Sequence, residues 1–147
     1  MSDDARSSDE LAYLRAVLAA SVVAAELLAA MEGVAERLAP DRSAALANVI
    51  RTRFAGALET AAQALAAAPR SDDLAAFDRI FATAFAHARE CAALFGDFPD
   101  APPNERIARI LAALHHHAQA QEHFYPIRSL LPPFRDYWSP DAAPAAA

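Results

Sequence analysis

The sequence predicts an all-α protein, an antiparallel up-down-up-down four-helix bundle with a proline- and aromatic-rich C-terminal extension. Alanine supplies 41 of the 147 residues, and alanine favours helices because it loses no side-chain entropy there. The ten prolines leave four long proline-free segments, and proline breaks helix interiors. Within these segments apolar residues recur at alternating spacings of three and four, which is the period of one helix face.

The first predicted helix, residues 10–38, carries the longest apolar face. Its stripe consists of Tyr13, Val17, Ala20, Ala24, Leu27, Met31, Val34 and Leu38. Because Leu14, Leu18, Val22 and Leu28 widen this stripe, we expect this helix to be the most buried. The second predicted helix, residues 43–67, begins near Asp41 or Ser43, which are suitable N-cap residues. Its stripe consists of Leu46, Ile50, Phe54, Leu58, Ala61 and Leu65.

The third predicted helix, residues 72–95, opens with acidic residues that suit the positive end of the helix dipole. Its stripe consists of Leu74, Phe77, Phe81, Ala84, Ala88, Cys91 and Phe95. Gly96 follows at the position of a C-terminal cap. The fourth predicted helix, residues 104–124, begins at Asn104 as N-cap, and its stripe is Ile107, Leu111, Leu114, Ala118 and Tyr125.

Short connections between these helices favour antiparallel neighbours. We therefore expect one domain over residues 10–138, preceded by a flexible N-terminus, residues 1–9, and followed by a disordered tail, residues 139–147. The composition of that tail, rich in alanine and proline, gives it too little apolar surface for a core.

Charge and composition exclude some classes of partner and indicate where the protein is located. The net charge of −6 argues against a nucleic-acid partner, because phosphate binding needs a basic face. The polar, acidic start does not resemble a secretory signal, and the most apolar stretch, residues 16–31, is too short for a membrane span of about 20 residues. A single cysteine fits a reducing compartment, so the expected location is the cytoplasm. All 13 basic residues are arginine, a bias typical of GC-rich coding and hence of a bacterial source.

Five histidines and one cysteine suggest a metal site as an alternative. His87 has Cys91 one turn further along its helix, and an antiparallel hairpin would place it level with residues 112–116. A site made of His87, Cys91 and either His115 or His117 would suit zinc, with iron as a second possibility. Relative to the predicted apolar stripe, His116 and His123 face solvent. No cofactor is otherwise expected.

The segment from His116 to Pro126 resembles the closing helix motif of hemerythrin-like domains, in which a histidine is followed by glutamates, an aromatic residue and a proline. His116, Glu122, Tyr125 and Pro126 match in register. The resemblance implies a four-helix bundle. However, Ala120 stands where that family has a ligand glutamate, and residues 10–68 contain no histidine. The resemblance therefore implies a bundle that has lost its di-iron site.

The C-terminal region suggests a protein partner. Five of the twelve aromatic residues lie within residues 124–138 and are interleaved with arginine, and these residue types are enriched at binding hot spots. The candidate partner-binding residues are Phe124, Tyr125, Arg128, Phe134, Arg135, Tyr137 and Trp138. The alternative is that this segment folds back and closes the end of the bundle.

Catalytic motifs are missing from the sequence. There is no nucleophile elbow and no phosphate-binding glycine loop, and burial within an apolar stripe would make Cys91 inert. We therefore expect a non-enzymatic regulatory or adaptor protein that contacts another protein or a second copy of itself, with a His/Cys metal-binding bundle as the alternative. A membrane-surface role is disfavoured because the charge balance is acidic.

Overall fold

The computed structural model describes residues 3–36, 40–70, 72–97 and 101–138, and these residues form an all-helical structure without strands. The prediction of an all-α fold is confirmed. The helices are α1 (Asp3–Glu36), α2 (Pro40–Val49), α3 (Ala55–Ala67), α4 (Ala75–Asp97), α5 (Pro103–Phe124) and α6 (Pro132–Tyr137). A π-helical turn, Ile50–Phe54, joins α2 to α3, and short 3-10 turns precede α4 and α6.

The helix bounds depart from the sequence prediction at several ends. α1 begins at Asp3, seven residues before the predicted start. α5 begins at Pro103 without a side-chain cap, so the prediction that Asn104 caps this helix is wrong. Proline suits the first helical position because its missing N–H has no partner there in any case. The predicted tail, residues 139–147, lies outside the described residues.

Gly96 has a packing role rather than the predicted capping role. It lies inside α4, and no described glycine has a positive φ. Gly96 is buried, and a methyl group added to it would lie 3.1 Å from Cγ of Arg51. The missing side chain therefore lets α4 approach the π-helical turn closely.

The core confirms most of the predicted stripes of the first three segments. Buried residues shared by prediction and structure include Tyr13, Val17, Ala20, Ala24, Leu27, Met31, Ile50, Phe54, Leu58, Phe81, Ala84, Ala88, Cys91 and Phe95. The prediction that Leu14, Leu18 and Val22 widen the buried face of α1 is wrong, because all three are exposed.

The buried face of α5 lies one residue away from the predicted one. Ala113, His117, Ala120 and Phe124 are buried, whereas Ile107, Leu111, Ala118 and Tyr125 are exposed. α5 makes its most extensive contacts with α4. Small alanine side chains on the inner face allow two helices to approach closely, and Ile107 and Leu111 lie on the outer face.

The C-terminal segment folds back on the helices. The Phe134 ring stacks on the Phe124 ring with centroids 4.1 Å apart, and Phe124 meets Phe81 edge to face at 5.7 Å. The Tyr137 hydroxyl donates a hydrogen bond to Glu32 on α1. The C-terminal aromatic residues therefore form one end of the core.

Within the described residues, one helical segment, Ser8–Glu32 of α1, is long and apolar enough to cross a membrane by length and composition. This differs from the expectation that the apolar stretch of α1 is too short. Core helices of soluble proteins and signal sequences meet the same criteria of length and composition.

Candidate functional sites

Three histidines meet where α4 crosses α5. His87 projects from α4, and its Nδ1 lies 2.9 Å from Nδ1 of His116 on α5. The ring of His123, two turns after His116, lies 5.2 Å from the His87 ring, centroid to centroid. All three side chains are half-buried. We call His87, His116 and His123 the histidine cluster.

A hydrogen bond to the backbone shows which ring nitrogen of one cluster member carries a proton. Nδ1 of His123 donates to the backbone carbonyl of Gln119 at 2.8 Å, which leaves its Nε2 free to accept. Burial lowers the pKa of His87, and the neighbouring histidines lower it further, with Glu90 opposing them. The neutral imidazole of His87 is therefore favoured, and a short Nδ1–Nδ1 distance requires at least one nitrogen with a free lone pair.

The metal ligands predicted from sequence do not come together. The buried Cys91 thiol contacts the Met31 sulfur at 3.0 Å, and burial raises the pKa of that thiol to about 12. Nε2 of His117, also buried, donates to the Leu28 carbonyl at 2.9 Å. His115 is exposed and touches only the edge of this cluster, through a ring contact with His116.

The orientation of α5 explains this difference. The prediction placed His116 and His123 toward solvent, and it is wrong because the rotation of α5 turns both residues toward His87 and moves His117 into the core. The spacing of seven residues between His116 and His123 places them on one helix face, and this was the available sequence signal. Among the described residues, no group of three or more His, Cys, Asp or Glu side chains already converges on one point.

The residues predicted to bind a partner divide into three groups. Phe124 and Phe134 are fully buried, so the prediction that they form a free binding surface is wrong. Tyr137 and Trp138 are half-buried against the same aromatic core. Arg135 and Tyr125 remain exposed, and the guanidinium of Arg128 lies 3.6 Å from the centre of the Tyr125 ring. The segment therefore serves mainly to close the core.

A continuous apolar surface lies instead on the outside of α1. Leu11, Leu14, Leu18 and Val22 follow one another at helical spacing, and each is 40–48% exposed. We call these four residues the α1 stripe. Sequence reasoning missed this surface because it assigned Leu14, Leu18 and Val22 to the buried face.

The α1 stripe borders an apolar groove. The groove has a volume of about 380 Å³ and is lined by Leu14, Val17, Leu18, Leu74, Phe77, Leu130, Leu131 and Pro132. Every lining side chain is apolar, and Leu130 at the rim is 66% exposed. Contiguous exposed apolar surface of this kind marks sites of interaction.

A smaller apolar pair is exposed on α5, where Ile107 and Leu111 are 61% and 59% accessible. Neither residue lines the groove that borders the α1 stripe. The pair therefore offers a matched comparison for the α1 stripe.

No protein-family model, curated protein or solved structure matches this chain.

Proposed function

We propose that this chain is a non-enzymatic helical module of the bacterial cytoplasm that works through protein–protein contact, with a second copy of itself as the partner. The α1 stripe carries the proposal. Four large aliphatic side chains, each 40–48% exposed, occupy one face of the longest helix. Leaving such a face in water is unfavourable, and covering it is the physical role for which it is suited.

For the architecture we propose an antiparallel bundle built from α1, the α2–α3 segment, α4 and α5. As residue numbers rise along one helix, those of the contacting residues fall along the next. Tyr13 meets Arg70 and Glu26 meets Arg53 between α1 and the second segment. Phe81 meets Phe124 and His87 meets His116 between α4 and α5. This arrangement leaves the α1 stripe on the outer surface.

The spacing of the α1 stripe favours a second copy as the occupant. A two-fold interface places the same patch against itself, so the patch must be complementary to its own reversal. Residues 11, 14, 18 and 22 are arranged almost symmetrically about the middle of the stripe. In an antiparallel pair of α1 helices, Leu11 of each copy would therefore lie opposite Val22 of the other, with Leu14 close to Leu18.

The magnitude indicates a weak dimer. Each half-exposed aliphatic side chain in the α1 stripe, together with Leu130, would gain about 1 kcal/mol on burial. Two copies would gain on the order of 10 kcal/mol, from which an association cost of at least about 4 kcal/mol is subtracted. The expected Kd is therefore roughly 10–100 μM.

Sedimentation equilibrium across about 5–500 μM protein tests the proposal. We expect wild type to dimerise reversibly, and we expect the double variant Leu14→Glu/Leu18→Glu to stay monomeric with an unchanged far-UV circular dichroism spectrum. The control Ile107→Glu/Leu111→Glu makes the same change on the other exposed apolar pair and should dimerise like wild type.

A wild-type protein that is monomeric across this range would refute self-association, as would equal loss of dimer in both variants. Flotation with neutral phosphatidylcholine vesicles tests the other possible occupant of the α1 stripe, a lipid surface. If wild type floats and Leu14→Glu/Leu18→Glu does not, the α1 stripe binds lipid and the proposal fails.

A further inference from the structure

We propose that the histidine cluster binds one divalent transition-metal ion, with Nδ1 of His87 and Nδ1 of His116 as its first two ligands and His123 as the third. This site differs from the set predicted from sequence, since only His87 is shared. It is independent of the α1 stripe, which lies on another helix.

The geometry of the first pair carries the proposal. Zinc binds histidine nitrogens at about 2.0–2.1 Å. Two nitrogens on one ion, with an angle between the right angle of octahedral and the wider angle of tetrahedral coordination, are therefore roughly 2.9–3.4 Å apart. The two Nδ1 atoms already lie 2.9 Å apart. This separation already matches that of two nitrogens on one ion, and because the ion would lie beside the line that joins them, both rings turn toward it when it binds.

The third histidine is prepared as a ligand. Its Nδ1 donates to the Gln119 carbonyl at 2.8 Å, and metal-bound histidines typically make such a bond with the nitrogen that does not face the metal. The Nε2 of His123 is therefore the nitrogen available to an ion. Its ring lies 5.2 Å from the His87 ring, and three ligands do not yet converge among the described residues, so the His87 and His116 side chains must turn to bring the ion to this nitrogen while the bond to Gln119 is kept.

The donor set selects the class of ion. Imidazole nitrogens suit zinc, copper and nickel, whereas magnesium and calcium require oxygen ligands. The thiol of Cys91 is not available, because it is buried against Met31. A site with three nitrogens and partial exposure indicates reversible binding with rapid exchange rather than a permanent structural ion.

Isothermal titration of the untagged full chain with zinc chloride at pH 7.5 tests the proposal. We expect one zinc per chain. We expect His87→Gln and His116→Gln each to weaken binding by about tenfold or more, and His123→Gln to weaken it less. His115→Gln is the matched control, because His115 neighbours His116 but is exposed and has no ring contact with His87. It should bind zinc like wild type.

Repeating the titration with the Leu14→Glu/Leu18→Glu variant separates this site from the dimer, and it should also give one zinc per chain. Circular dichroism identifies any variant that fails to fold, and His116→Gln, on a half-exposed residue, then provides the deciding comparison. The proposal is overturned by an absence of saturable binding, by one zinc per two chains, or by equal effects of His115→Gln and His116→Gln. A second readout is the electron paramagnetic resonance spectrum of the copper-loaded protein. Replacing all three histidines of the cluster together should abolish the nitrogen splitting in that spectrum.

Discussion

Replacing Phe134 tests whether the C-terminal aromatic segment is part of the core. Phe134 is fully buried, and its ring stacks on that of Phe124 at 4.1 Å and tilts against that of Trp138 at 5.7 Å. A Phe134→Ala substitution removes the ring from the centre of this packing and leaves a cavity. We expect it to lower the free energy of unfolding by about 3–5 kcal/mol.

This loss is large compared with the total free energy of unfolding of a domain. Domains of this size have unfolding free energies of about 5–15 kcal/mol, so the variant loses roughly a fifth or more of its stability. With about 2–4 °C of melting temperature per kcal/mol, the melting temperature should fall by roughly 10–15 °C. Urea unfolding followed by circular dichroism measures the loss directly, and the m-value checks that the unfolding remains two-state.

Two variants provide the controls. Phe134→Leu keeps most of the volume and should cost less than about 1.5 kcal/mol. Arg135→Ala changes the exposed neighbouring residue and should stay within about 0.5 kcal/mol of wild type. If Phe134→Ala also stays within about 0.5 kcal/mol, the segment does not close the core and its aromatic residues are again free to contact a partner.

Three further predictions follow from single contacts. Tyr13 donates to Asp78 at 2.6 Å, so Tyr13→Phe should cost about 1–2 kcal/mol in urea unfolding, because hydrogen bonds to charged groups are stronger than neutral ones; a neutral result would show that water replaces the bond. Arg89 and Glu59 form an exposed ion pair at 2.5 Å, and Arg89→Ala should change stability by less than about 1 kcal/mol, again by urea unfolding. Burial raises the pKa of the Cys91 thiol to about 12, so the native thiol should resist Ellman's reagent at pH 8 and react once urea unfolds the chain. Because an unfolded thiol ionises at about pH 8.5, the stabilising contribution of protonated Cys91 is complete below that pH and is lost as the pH rises toward 12. Rapid labelling of the native protein at pH 8 would contradict the burial of this thiol.

Much of the fold could be predicted from proline positions and periodicity. The four predicted segments correspond to α1, to α2 with the π-helical turn and α3, to α4, and to α5. Proline spacing is informative because it excludes helix interiors whatever the tertiary packing. The π-helical turn at Ile50–Phe54 could not be predicted, because the apolar spacing of four residues between its ends is the same as in an α-helix.

The orientation of α5 could not be predicted from hydrophobicity alone. Two faces of this helix compete for the core, one bearing Ile107 and Leu111 and the other bearing Ala113, Ala120 and Phe124. Residue by residue the first face is more apolar. The second wins because Phe124 joins the aromatic packing with Phe81 and Phe134 and because alanines allow close contact with α4. This choice depends on partners distant in sequence, which a single helix does not reveal.

The same rule operates on α1 and α5, and it connects the fold to both proposals. In each helix small alanines form part of the inner face, while some leucine, isoleucine and valine residues lie on the outer face. Close packing through alanine rotates α5 so that His116 and His123 meet His87, and it leaves the α1 stripe exposed. The exposed leucine and valine side chains of α1 hold apolar surface that the folded chain leaves in water, and burying it is favourable. Covering the α1 stripe by a second copy would therefore raise the stability of the fold as well as create an interface, and the melting temperature of wild type, but not of Leu14→Glu/Leu18→Glu, should rise with protein concentration.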